Sequence, residues 1–398
     1  MLYRTHQSKL LIQSTLVIVG FLISLSARSE WSHELELEYR YFIDEPQFSE
    51  QGRNAAAVIY RPVWSMTSES GNSVYDFRGV ARFDENDDER NLIDITELSW
   101  LYAKNDWEFK VGVSKVFWGV AETQHLVDVI NQTDFVDDIN GESKLGQPLI
   151  RVSRLSDFGV FDAFILPYFR ERTFAGEKGR LRTQPVVNHD LVVYESDKEQ
   201  SHIDVALRWS HTVGVFDIGL SYFDGTGRDP VLSISDDGRF LVPSYIQIEQ
   251  FGLDVQATLD AWLLKLEAID RKPSSAFPSE NFQAAVGGFE YTFFDIASSG
   301  VDVGVVGEYS YDSRGDQSFA DDSAFLGLRF ALNDEQSTDL LIGCSVDGEL
   351  CSAEGSRRIG ESFKISLRAN TFSGIEESSQ LASQRQDDFL QLSLAYFF

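Results

Sequence analysis

The residues best suited to act on a solute lie in one stretch, Lys115 to Asp134, which reads KVFWGVAETQHLVDVINQTD. Lys115, Glu122, His125, Asp128, Asn131 and Asp134 supply cationic, anionic and amide groups, and Trp118 supplies an aromatic face. From Glu122 onward the polar residues recur every three or four positions. On a short helix that spacing lines one face, with Leu126, Val129 and Ile130 on another. Groups of these types bind and steer. Bond-breaking arrangements are missing from the sequence: it has no HExxH, no GxSxG elbow, no CxxC pair and no nucleotide-binding glycine loop. The acidic run Asp84 to Glu89 lacks the spaced ligands and the glycine of an EF-hand loop. The sequence therefore assigns no catalytic residue, no metal and no cofactor. A hydrolase, which would draw on His125, His189 or His202, stands third among the readings.

The stretch must be held by strands, because alternation dominates the rest of the chain. Leu390, Leu392, Leu394, Tyr396 and Phe398 share one face of the last segment, and Gln391, Ser393 and Ala395 share the other. Trp31, Leu35, Leu37, Tyr39 and Tyr41 oppose Glu34, Glu36, Glu38 and Arg40 in the first segment. The pattern returns with charge on the second face. Arg78, Arg82 and Asp76 oppose Phe77 and Ala81; Arg208 and Asp204 oppose Val205 and Leu207. Asp254 opposes Leu253 and Val255, Asp302 and Glu308 oppose Val303 and Tyr309, and Lys364 and Arg368 oppose Ile365 and Leu367. A soluble sandwich also alternates. An apolar outer band around a wet, charged lumen needs the same pattern at every strand.

Loop lengths favour the second solution. Short turns such as Lys104-Asn105-Asp106, Ser156-Asp157-Phe158, His211-Thr212-Val213 and Leu259-Asp260 alternate with long connections at 84–91, 116–147, 170–201, 224–244 and 272–280. Trp31, Trp64, Trp100, Trp107, Trp209 and Trp262 all fall near the short-turn ends, as an interfacial aromatic belt would place them. About eighteen strands fit the sequence, with sixteen also possible, and an even number returns both ends of the chain to one side. The fold class expected is all-β: a transmembrane, antiparallel, up-and-down barrel. Asp347-Gly348 is a two-residue hairpin signal that sets Cys344 opposite Cys351, the register for a cross-strand disulfide.

Residues 1–29 read as a cleaved secretory signal peptide, with Arg4 and Lys9 ahead of a mostly apolar run from Leu10 to Leu25. The barrel then occupies 30–398, with a possible inward-folded loop at 115–147. The net charge of −29 becomes −32 without the leader, which removes three bases and no acid. A chain so acidic is repelled by nucleic acid.

The run Trp118-Gly119, Ala121-Glu122 and Asp128-Val129-Ile130-Asn131 followed by Asp134 resembles a family of Gram-negative outer-membrane, porin-like barrels carrying WG-x-[AS]-[ED] and DV[IV]NP-x-D. Gln132 stands where that family has proline. Ser356–Gly360, Thr371–Gly374 and Asp387–Leu392 are also similar, and a looser likeness runs to alginate-export-type porins. The resemblance implies the cell outer membrane as location. Lipid and lipopolysaccharide are then the partners, with the barrel-assembly machinery engaged through the C-terminal strand.

The function expected first is a passive channel for small or elongated solutes. A non-conducting structural, adhesion or envelope-partner barrel comes second. The 115–134 segment either folds into the lumen as a constriction or docks outside as a loop. Lumen charges expected are Arg78, Arg82, Arg208, Arg329, Lys364, Arg368, Asp76, Asp204, Asp254, Asp302 and Glu308. With both signs present, the sequence leaves charge selectivity open. Arg170, Arg172, Lys178, Arg180 and Arg182 form a local basic group that either guides an anion or pairs with neighbouring acids.

Overall fold

The computed structural model describes residues 28–274, 281–315, 318, 322–375 and 381–398. The strands in chain order begin with β1 (Arg28–Phe42), β2 (Asn54–Thr67), β3 (Ser73–Asp84), β4 (Leu92–Lys104), β5 (Trp107–Ser114), β6 (Gln147–Ser156) and β7 (Gly159–Leu166). They continue with β8 (Val193–Tyr194), β9 (Asp204–Val213), β10 (Phe216–Thr226), β11 (Val231–Ile234), β12 (Leu241–Tyr245), β13 (Gln247–Leu259) and β14 (Trp262–Pro273). The last seven are β15 (Phe282–Phe293), β16 (Asp302–Asp312), β17 (Ser323–Ala331), β18 (Asp339–Ser345), β19 (Leu350–Ile359), β20 (Phe363–Phe372) and β21 (Phe389–Phe397). Eighteen of these form one antiparallel sheet in chain order, and β21 pairs back onto β1, so the sheet closes and has no edge. The sixteen-strand alternative is excluded. Closure is what a spanning sheet requires, since lipid offers no partner to an unpaired N–H or C=O. No helix among the described residues is long and apolar enough to cross a membrane.

Register puts the apolar set outside. Leu392 and Leu394 are 48% and 39% exposed, whereas Ser393 between them is 6% exposed. At the seam, His33 and Phe398 exchange both backbone hydrogen bonds (2.8 and 3.0 Å) and their rings stack at 5.1 Å. The turns β4–β5, β6–β7, β9–β10 and β13–β14 are short and share one rim. His211-Thr212-Val213 belongs to β9, and the turn there is Gly214-Val215. Trp31 faces Trp64, and Trp107 and Trp262 open strands at that rim. Cys344 and Cys351 are bonded across β18 and β19, directly opposite one another.

Of the leader expected at 1–29, residues 1–27 lie outside the described residues, and Arg28 and Ser29 open β1. Part of the 272–280 connection lies outside them as well.

At the other rim, three long connections turn inward and interlock. They run 115–146, 167–203 and 227–246. The last two contribute a small sheet, with β12 antiparallel to β11 and parallel to β8. Tyr245, fully buried, packs on Phe169 at 4.8 Å and accepts from the Arg172 backbone N–H at 2.9 Å. An apolar core sits inside the barrel: Trp118, Val127, Val129 and Ile130 of the first connection pack with Leu149, Phe164, Phe223, Ile248 and Ile269 of the wall. The lumen beside the wall from β6 to β15 is thus occupied by folded chain.

Candidate functional site

The first connection leaves the wall at Ser114 and returns at Gln147. Asn131, 1% exposed, clamps its stems. The side-chain amide donates to Ser114 O (3.0 Å) and Leu145 O (2.8 Å) and accepts from the Val116 N–H (2.8 Å). Trp118 lies edge-on to Phe164 at 5.6 Å, under the Arg208 guanidinium at 5.2 Å. The expected helix is absent, because the backbone donors a helix would use internally are spent on the wall.

Two wall carboxylates take those donors. Glu267 on β14 is fully buried and accepts from Val120 (2.7 Å), Ala121 (2.9 Å) and Val127 (3.2 Å). Glu308 on β16 accepts from Glu122 (2.7 Å), Thr123 (2.8 Å) and the Thr123 hydroxyl (2.7 Å). Gly119 permits the approach: its φ is +124°, and a Cβ there would sit 2.6 Å from Glu267 Oε1. Glu122 then bridges Arg329 (2.8 Å) and Lys265 (3.4 Å). Burial works against its ionisation, but Arg329 and Lys265 outweigh it and hold the carboxyl below the usual range.

The far part of the segment is tied with the opposite polarity, its own acids meeting wall and loop arginines. Arg82 grips Asp134 through two nitrogens (3.0 and 3.3 Å) and reaches Asp137 at 2.6 Å. Arg90 bonds Val136 O (3.1 Å), Asp84 (2.7 Å) and Glu38 (2.7 Å). Arg368 on β20 reaches Asp138 at 3.4 Å. Burial opposes ionisation of Asp137, yet Arg82 and Arg90 prevail and its pKa falls to about 2. The segment therefore spans the lumen from the β14–β17 wall to the β1–β3 and β20 side.

The seven residues singled out in the segment divide. Trp118, Asp128, Asn131 and Asp134 are buried and hold the segment together, so they are not presented to solute. Burial raises the Asp128 carboxyl from its ordinary value against the pull of Lys144, 3.2 Å away, and lowers His125. Lys115 is exposed, and Glu122 and His125 are partly exposed.

Of the expected lumen charges, Arg208 pairs Asp254 through two bonds of 2.8 Å, and Asp204 pairs Arg228 at 2.8 Å. Glu308, Arg82, Arg329 and Arg368 serve the segment as described. Arg78 is exposed and Asp76 and Lys364 are half-buried on their strands. Lys364 and Arg368 line a hollow of about 290 Å³ with Glu36, Glu354, Ser366 and Ser393. Asp302 is a correction: it sits at the short-turn rim, accepting from the Asp295 N–H, because β16 begins there.

The basic group of the second connection is largely neutralised. Arg170 meets Asp94 at 2.8 Å, Arg172 meets Asp229, and Arg180 meets Asp387 at 2.6 Å. Arg182 lies over the Phe48 ring at 4.0 Å, and Lys178 is exposed. Glu267 went unnoticed in the sequence. Its inward register on β14 was legible, but nothing distinguished it from other inward acids such as Asp254.

No family model matches the chain, and no curated protein matches it either. Solved structures do. Pseudomonas aeruginosa OpdQ is 13% identical, with 93% of this chain and 98% of that one covered, at a TM-score of 0.53. A BenF-like porin from Pseudomonas fluorescens is 9% identical, covering 94% and 98%, at 0.54. Pseudomonas aeruginosa OccK2 (OpdF), solved in complex with glucuronate, is 10% identical, covering 94% and 96%, at 0.52. The chain has the fold of the outer-membrane porin barrels over nearly its whole length.

Proposed function

We propose that the protein is an outer-membrane channel that passes small solutes passively, narrowed by the 115–146 segment. The observation that carries this reading is the segment's path. It crosses the lumen and is fixed at both sides to opposed walls, which is the arrangement of a constriction. Solute then moves along the part of the lumen the segment leaves open, past Lys115 and Glu122. The Trp118-Gly119 and Asp128–Asn131 motifs fit this reading as the elements that shape the constriction. Arg208 pairs Asp254 and Arg228 pairs Asp204, while Arg78 and Lys364 remain open to a passing solute. Residues 1–29 are the leader in this account, lipid and lipopolysaccharide surround the barrel, and β21 addresses it to the assembly machinery.

The test is single-channel conductance of the refolded protein in a planar bilayer, repeated after deleting Val120 to Asp134. Steady conductance that rises on deletion is the expected outcome. A folded, heat-modifiable barrel that conducts in neither form makes the structural reading correct instead.

A further inference from the structure

Among the buried acids of the described residues, Glu267 and Glu308 share with Asp87 the lack of a cationic partner, and they alone use it to hold the 115–146 segment. Asp254, Asp204, Asp134 and Asp387 each face an arginine. Glu267 and Glu308 form no ion pair within 4.0 Å among the described residues; their hydrogen bonds come from backbone N–H groups of the segment and one threonine hydroxyl. Five N–H groups converge on two carboxylates, and the close pairs 120–121 and 122–123 form anion-holding concavities of the kind successive amides make. An ionised carboxylate accepts at both oxygens. A protonated one carries a donor hydrogen on one of them and loses part of that capacity. An unpaired buried carboxylate also gains from neutralisation.

We propose that Glu267 and Glu308 are positioning residues forming an acid-released latch: ionised, they hold residues 119–127 across the lumen, and protonated, they let that stretch leave the wall. The proposal rests on the constriction reading and adds a control to it. The surroundings set the direction of the response. Asp254 faces Glu267 from β13, already engaged by Arg208. Lys265 from β14 and Arg329 from β17 are engaged by Glu122. From the segment itself come Glu122, His125 and Asp128, the last with Lys144. The nearby cations are thus already matched to other acids, and the latch carboxylates rely on backbone amides and the Thr123 hydroxyl. The far anchorage is built differently, on the ion pairs of Arg82 and Arg90 with Asp134 and Asp137. Acid therefore frees the near end first, and the segment swings from its arginine-bound end.

Both native cysteines are in the disulfide, so a Gln124→Cys variant of the full protein carries a single thiol for a nitroxide label. Its spectrum is read in lipid vesicles from about pH 7.5 to about pH 4, with conductance recorded alongside. The label is expected to be immobile at neutral pH and mobile in acid. With Glu267→Gln and Glu308→Gln added, it is expected to be mobile at both, with the pH response lost. An immobile label throughout in the Q124C protein, or a response unchanged by the two glutamines, overturns the latch. The unmutated walls already give a pH response to read, so a misfolded double variant leaves that first comparison standing. Conductance separates the two readings: a label that is released in acid on a barrel that never conducts keeps the latch and removes the channel.

Discussion

At the scale of single residues, the segment depends on groups that leave nothing to water. Asn131 satisfies three backbone partners from both stems while almost fully buried. Asn131→Ala strands one N–H and two carbonyls, a cost of about 1–3 kcal/mol. Of the barrel wall only Ser114, the last residue of β5, uses this amide, so the loss falls mainly on the segment. Limited proteolysis should cut within 115–134 several times faster while the barrel stays heat-modifiable. Asp137 gives the complementary pH prediction. Its folded pKa, about 2, lies below the ordinary value of 3.8. The stability it contributes is then fully present above the ordinary value and is lost as pH falls through about 2. A nitroxide at exposed Asn140 should stay ordered at pH 4 and loosen only toward pH 2, and Asp137→Asn should loosen it at neutral pH. Loosening of the unmodified protein already at pH 4 would contradict the ion-pair account of this anchorage.

At the scale of elements, strands were legible and the inward connections were not, for a physical reason. A barrel strand meets the same two environments at every second residue, so its pattern is written locally, as in Phe363, Ile365 and Leu367 against Lys364, Ser366 and Arg368. The 115–134 segment meets a different wall group at nearly every residue. Its three-to-four spacing looked helical, but Glu267 and Glu308 claim the N–H groups of residues 120–123 and 127, and tertiary contacts override the local period. The Ile248, Phe223 and Phe164 cluster was equally hidden, because it places apolar residues on the face read as wet. The β18–β19 hairpin lies at the legible end. Its turn signal and its cysteines agree on one register, and the disulfide closes a short loop. Replacing both cysteines with serine should cost about 2 kcal/mol, the range for closing a loop this short. Amide exchange should quicken in β18 and β19 alone, since each keeps its ladder to β17 or β20.

At the scale of the whole molecule, one rule sorts the substitutions the barrel tolerates: which side of the sheet a residue faces. The sheet is closed, so no strand presents a free edge and the wall itself is indifferent to side chains. What differs is the medium on each face. Leu266, near the middle of β14, points outward and is 40% exposed, between Val255 and Gly287 of the neighbouring strands. An arginine there must place its charge in hydrocarbon or thin the bilayer around it, a cost of about 2–4 kcal/mol near the midplane. Ser366 occupies the other face, in the hollow with Lys364, Arg368, Glu36 and Glu354, where water and two acids can receive a guanidinium. Leu266→Arg should therefore lower folding stability in vesicles by that amount, measured from urea titrations of the refolded protein, and Ser366→Arg should leave it nearly unchanged. The pair also tests orientation. A soluble sheet with Leu266 on a solvated face would accept the arginine at little cost, so equal stability of the two variants would reverse the assignment of lipid and lumen to the two faces of the barrel.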